Sequence, residues 1–256
     1  MILIKRLLIV PAFLILSPHT CYSMASPKAL EFEAGGSYDR LDKGYDDWKS
    51  IYLEIKKKVG ERRFLYGSAR EVTRYAITEN EFMAGAVVPA GEKVTATFEA
   101  TFGPEGVILP KLSCHVNIAW MLDKGWAVEA GARKREYENS GTISGNISLE
   151  KYFSRYRASF SIYPSQVDSS DTSMSYNVRM DRYYGEGNFT GLSFTLGEEV
   201  ENVPGSGTVT SDIRSLVFLG RHWFNDSWGM SYQVWTHRQG DYYERHGLRS
   251  GLRFRF

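Results

Sequence analysis

The sequence has only two cysteines in 256 residues, Cys21 and Cys114, and the first lies in a segment that reads as a removable leader. No intramolecular disulfide is then available, and the fold has to hold without covalent staples. Also missing is an apolar run long enough to cross a bilayer as a helix. The longest, LLIVPAFLIL from Leu7 to Leu16, is half of the roughly 20 residues needed and is interrupted by Pro11. Net charge is scarce too: 31 basic and 30 acidic residues nearly cancel, which gives no reason to expect a nucleic-acid partner. There is no glycine-rich phosphate loop, Walker motif, dinucleotide fingerprint or metal-ligand spacing, so neither a cofactor nor a metal is expected.

What is present begins with Lys5 and Arg6 followed by that short apolar run, the layout of a secretory signal. Ser23 and Ala25 occupy the small-residue positions read by a signal peptidase, so the reading is a signal peptide over 1–25 and one domain over 26–256. Cys21, preceded by Pro18, His19 and Thr20, is not a lipoprotein processing site and leaves with the signal. The chain is then 14% aromatic with 16 tyrosines, yet its mean hydropathy is −0.33. A barrel wall reconciles the two figures, because each strand shows lipid only every second residue.

Period-two alternation recurs through the mature chain. Val94, Ala96, Phe98, Ala100 and Phe102 oppose Thr95, Thr97, Glu99 and Thr101, while Leu112, Cys114, Val116, Ile118 and Trp120 oppose Ser113, His115, Asn117, Ala119 and Met121. Further strands are predicted at 30–38, 48–59, 63–75, 80–88, 126–135, 143–151, 156–163, 174–181, 188–197, 214–223, 228–237 and 246–256. The total is fourteen, with twelve as the alternative because the segment near Arg214 is poorly phased. Tight links at 60–61, 89–91, 122–125, 153–154 and 225–227 alternate with longer polar stretches at 39–47, 103–110, 164–173, 198–211 and 238–244. The predicted class is therefore an all-β, antiparallel, up-and-down transmembrane barrel in a Gram-negative outer membrane, with both termini periplasmic and the long loops outside.

The chain ends RSGLRFRF, with Leu252, Phe254 and Phe256 on one face, which is similar to the terminal signal by which assembly machinery reads barrel strands. Tyr38, Trp48, Tyr75, Trp120, Trp126, Trp223 and Trp228 near strand ends suit two interfacial girdles. Three stretches carry a family resemblance: 131–137, the segment RASFSIYPSQVDSSDTSMSYNVRM (157–180) with its VDSSD loop at 167–171, and the last strand. They resemble the YaiO family of outer-membrane proteins. The resemblance implies a small outer-membrane barrel. Related domains occur beside tetratricopeptide repeats in proteins linked to envelope polysaccharides; this chain lacks such repeats, and the resemblance transfers no catalytic residue.

Function in a barrel lives on the polar face, and alternation assigns to it Glu31, Glu33, Glu54, Lys56, Glu99, Glu129, Arg133, Arg135, Glu150, Arg179, Asp181, Arg249, Arg253 and Arg255. These lumen-lining charges fit either a wet pore with a transverse field or a lumen filled by ion pairs between strands. Ser113, His115 and Asn117 share one face at i, i+2 spacing and form the sharpest catalytic candidate. Barrel lipases and deacylases carry such a pair on the lipid side, whereas this one faces inward, so a polar lumen wall is the favoured reading. His222, His237 and His246 read as surface or girdle residues, and Asp168, Asp171 and Asp181 lack the EF-hand spacing and its terminal Glu. The leading expectation is a non-enzymatic conduit or envelope component for small solutes or polysaccharide, in contact with outer-membrane lipid and assembled through its last strand. The alternatives are a lipid- or glycan-modifying barrel enzyme and a structural or adhesive barrel acting through its loops.

Overall fold

The computed structural model describes residues 29–168, 172–203 and 207–256, with side chains described outside 200–209. The signal peptide read over 1–25, Asp171, and most of VDSSD lie outside the described residues. Fourteen strands follow one another: β1 (Leu30–Leu41), β2 (Trp48–Gly60), β3 (Arg63–Arg74), β4 (Ile77–Pro89), β5 (Val94–Phe102), β6 (Leu112–Met121) and β7 (Trp126–Glu136). The second half comprises β8 (Gly141–Phe153), β9 (Tyr156–Val167), β10 (Ser173–Tyr184), β11 (Asn188–Val203), β12 (Gly207–Trp223), β13 (Trp228–Gln239) and β14 (Tyr243–Arg255). Each pairs antiparallel with the next, and β14 pairs with β1 from Glu31↔Arg255 to Leu41↔Arg245, so the sheet closes on itself. Closure leaves no unpaired edge, the condition for a sheet to sit in hydrocarbon.

The two faces of the wall follow from alternation. On β5, Thr95, Thr97, Glu99 and Thr101 are 7–8% exposed while Phe98 and Phe102 are 48% and 55% exposed. Apolar side chains such as Ile51, Leu53, Ile118, Ile147, Val178 and Leu252 point outward all round the ring. That is the inverse of a water-soluble protein and suits lipid outside and polar groups inside. Among the described residues no helix is long and apolar enough to cross a membrane.

Strand number and phase agree with the sequence reading, but several connections do not. The stretch 198–211, read as a long loop, is instead the upper part of the β11–β12 hairpin, paired as far as Val203↔Gly207. Likewise 238–244 shrinks to a short link between β13 and β14. Polar composition signals contact with water, and a strand pair that projects beyond the apolar band keeps its hydrogen bonds there. On the rim away from the termini the β5–β6 connection, 103–111, is the longest, and the β3–β4 link is just Tyr75-Ala76, both at positive φ (52° and 60°). At the opposite rim Lys93 holds Asp123 at 2.8 Å, which keeps that carboxyl below its ordinary range.

The girdle reading is corrected in part. Tyr38, Trp120, Trp126 and Trp228 do face outward, but Trp48 and Trp223 point inward, at 2% and 7% exposure. Trp48 packs with Tyr75 and Tyr243 in the upper lumen, where the Arg74 and Arg245 guanidiniums lie 4.9 and 5.0 Å from its ring. Trp223 is flanked by Arg253 and Arg255 at 5.3 and 4.1 Å. Cation–π contact with desolvated arginines is what makes an indole at home in this polar interior.

Candidate functional site

The candidate site is the inner wall. All fourteen charged residues assigned to the lumen lie on the inward parity of their strands, as does the Ser113, His115, Asn117 row. Arginine recurs along the inner face of β14, and three of its members reach acids on the first two strands. Arg253 meets Glu31 at 2.9 Å and Glu33 at 2.8 Å, Arg249 meets Glu54 at 2.7 Å, and Arg245 meets Asp39 at 3.3 Å. The β1–β14 seam is thus stitched by charge as well as by backbone hydrogen bonds. Tyr52 donates to Glu33 at 2.7 Å and the Trp235 indole N–H donates to Asp39 at 2.7 Å, so these carboxylates are ringed by donors.

A second group centres on Glu99. Tyr66 donates to it at 3.0 Å, Arg133 at 2.7 Å, and His115 Nδ1 lies 2.9 Å away. Five neighbouring strands, β3 to β7, line up here because the register sets Tyr66 against Gly85, Gly85 against Glu99, Glu99 against His115 and His115 against Arg133. His115 therefore hydrogen-bonds to Glu99 rather than to Ser113, and the row is 3–7% exposed. Asn117 faces Glu129 at 3.5 Å and accepts from Asn146 at 3.1 Å. A third group joins Arg157 to Glu150 (3.5 Å) and Asp181 (3.0 Å), with Arg179 on Asp181 at 2.9 Å. Lys56 lies over the Phe64 ring at 4.3 Å, and Arg255 donates to the Asp226 carbonyl at 2.9 Å.

Inward aromatic rings lie flat on the wall over glycines of the adjacent strand. Tyr52 faces Gly35, Tyr66 faces Gly85, Trp223 faces Gly229 and Trp235 faces Gly247, each a direct register pair in which an added Cβ would overlap the ring. This is the sheet device of an aromatic covering a glycine, and it keeps bulky rings out of the centre of the lumen.

The 103–111 connection turns into the barrel. Ile108 and Leu109, 1% and 3% exposed, pack on Val72, an inward residue of β3. The loop is anchored by Glu79 of β4, whose carboxylate accepts the backbone N–H groups of Val107 (2.8 Å), Ile108 (3.1 Å) and Leu109 (2.7 Å). One buried acid thus satisfies three otherwise orphaned donors and holds the loop against the inner wall in the lumen half away from the termini.

Asp39, Arg70, Arg74, Glu79, Glu81, Arg157 and Arg245 are inner-wall charges that the sequence reading passed over; Asp39 and Arg245 share the parity of assigned charges on β1 and β14, whereas β3, β4 and β9 had no charge assigned to the lumen. His237, read as a surface or girdle residue, is 4% exposed and bonded to Gln239 at 2.9 Å. Asp168 caps the Gly141 N–H at 2.8 Å and Asp181 is held by arginines, so the described part of the calcium-like trio does not assemble. Among the described residues no group of three or more His, Cys, Asp or Glu is placed to hold a metal ion. Leu252 and Phe256 point outward at 55% and 56% exposure, and the Phe254 ring packs against Trp228 at a tilt, with centroids 4.6 Å apart.

A closed antiparallel ring, oily outside and charged inside, defines an integral outer-membrane β-barrel. The model of the YaiO membrane β-barrel domain matches residues 29–202, and the chain belongs to that family. Solved structures of similar shape include the CymD monoaromatic hydrocarbon channel, with TM-score 0.58 and 8% identity over 91% of this chain and 90% of that one. A bacterial polysaccharide outer-membrane secretin gives 0.55 and 11% over 90% and 99%, and Omp33 of Acinetobacter baumannii gives 0.52 and 12% over 91% and 100%. At such identities the likeness is one of fold. No curated protein matches the sequence.

Proposed function

We propose that this barrel is a narrow, non-enzymatic conduit for small polar solutes, with both termini in the periplasm and the 103–111 rim outside. The observation that carries the reading is the wet strip on β14, β1, β2 and β3. There Glu54 and Arg249 keep 43% and 31% side-chain exposure although they point inward and pair at 2.7 Å. Arg70 on β3 retains 21%, and the paired hydroxyls of Ser37 and Ser50 are half-buried. A strip carrying both signs of charge beside closed ion-pair clusters offers water a lane along one side of the lumen. Short neutral saccharides are a second solute class, favoured by the hydroxyl and amide wall in which Ser148 bonds Ser161 and Asn177 bonds Ser193 and Thr195.

Planar-bilayer recording on the folded, purified protein is the test. Discrete current steps are expected, reduced by a permeating solute added to one side; a silent bilayer at high protein density refutes the conduit. The outward row Leu252, Phe254, Phe256 is proposed as the face read by the barrel assembly machinery, and charged replacements there should lower the amount of folded barrel in cells.

A further inference from the structure

We propose that the outer wall formed by β11, β12, β13, β14 and β1 binds a bisphosphorylated glycolipid, its acyl chain in an apolar groove and its phosphates on cations above it. The inference rests on the orientation given above, in which this rim lies in the outer leaflet. The groove is shallow and open along the wall, with a volume of about 440 Å³. Leu192, Leu216, Phe218, Val234 and Leu248 line it, and Tyr38, Thr236 and His246 stand at its head.

Just above the groove, outward residues change from apolar to charged on each strand: Tyr38 gives way to Arg40, Leu248 to His246, Leu216 to Arg214, and Val234 through Thr236 to Arg238. The register lines them up, with Thr236 beside His246, His246 beside Arg40, and Arg214 directly opposite Arg238. Like charges facing each other across strands are destabilising, and an anion between them reverses the sign. The nearby acids are largely engaged. Glu244 accepts from Thr236 at 3.3 Å and lies 3.6 Å from His246, Asp241 meets Arg238 at 3.3 Å, and Asp47 accepts from the Tyr38 hydroxyl and the Leu41 N–H. Asp212 and Glu198 face each other one step further out.

Arg40 and Arg214 are exposed and carry no ion pair among the described residues. Arg40 is level with His246, Thr236 and Leu216, so three strand spacings and a two-residue offset along β12 put the two arginine backbones roughly 16 Å apart, a span that two long side chains shorten to suit phosphates on two linked sugars better than a single phosphodiester. An acyl chain below and two phosphates above form one amphiphile, and basic residues at an interface are the recognised means of holding anionic lipid headgroups.

The test is a binding titration of the full, folded chain in neutral detergent with three probes: bisphosphorylated lipid A, the same glycolipid dephosphorylated, and phosphatidylglycerol. The bisphosphorylated form is expected to bind at least tenfold tighter than either other probe. Arg40→Gln with Arg214→Gln should weaken it roughly tenfold or more. Lys134→Gln, which removes an outward cation on the far wall, should leave it unchanged. Val234→Trp, which fills the groove, should also weaken binding, and retained heat-modifiable gel mobility shows that each variant is folded. Equal binding of phosphatidylglycerol, or no difference between the arginine variant and wild type, overturns the proposal. Labelling of Asp241→Cys on intact cells by an impermeant maleimide checks the orientation separately, and conductance checks the conduit, so each failure is distinguishable.

Discussion

Arg253 of β14 donates to the carboxylate of Glu33 on β1 at 2.8 Å across 220 positions of sequence. No shorter path along the chain joins these strands, so the pair reports directly on closure of the ring. Arg253→Gln removes the cation shared by Glu31 and Glu33 and leaves two poorly compensated acids beside each other. The expected loss is about 3 kcal/mol, by analogy with broken buried pairs. A fall in the temperature at which folded mobility is lost on gels would show it, and an unchanged transition would refute it.

Glu79→Ala should release the 103–111 connection from the lumen. Three backbone donors lose their acceptor at once, at about 1–3 kcal/mol for each group left unsatisfied. Larger single-channel conductance and new proteolytic cleavage at Lys111 are the expected readouts. Conductance equal to that of the native barrel would mean that the loop does not narrow the path.

Charge reversal on the wet strip should tune ion preference. Glu54→Lys places a second cation beside Arg249, while Arg249→Glu does the opposite. The two variants are expected to move the permeability ratio in opposite directions by roughly twofold or more, since an accessible charge acts within about one Debye length. Reversal potentials in a salt gradient measure the shift.

Gly247→Ala should destabilise the barrel by about 1–3 kcal/mol, the cost of overpacking a filled site. The new methyl overlaps the Trp235 indole, which must leave the wall and give up its hydrogen bond to Asp39. Tryptophan fluorescence shifted to the red together with a lower unfolding temperature would register both effects.

His115→Ala separates wall from active site. A wall residue predicts a loss of about 1–2 kcal/mol from the Glu99 cluster and an unchanged envelope lipid and glycan profile. Loss of an envelope modification with folding intact would instead favour the enzyme reading.

Much of the fold was readable because alternation is local. Whether Glu99 or Phe98 faces the lumen depends on counting by two, and neighbours such as Thr97 and Ala100 suffice to set the phase. The same count already put Trp48 with Tyr52 and Glu54; the girdle rule displaced it because tryptophan usually seeks an interface, and the arginines that retain it indoors belong to β3 and β14. Turns without turn chemistry were less legible. Tyr75-Ala76 carries no glycine or asparagine, and its positive φ angles are held by the aromatic cluster around Trp48 rather than by intrinsic preference.

The two faces of the wall and the charged character of the lumen were determined by the sequence alone, since a period of two residues needs no knowledge of neighbours, while the strand number was narrowed to fourteen or twelve and settled by the closed ring. Tertiary structure alone decided that Glu99 collects Tyr66, His115 and Arg133, that Arg253 reaches Glu33, and that Glu79 draws a loop inside. Those contacts follow from the stagger of strands around a closed ring, a property of the whole circumference that no single segment encodes.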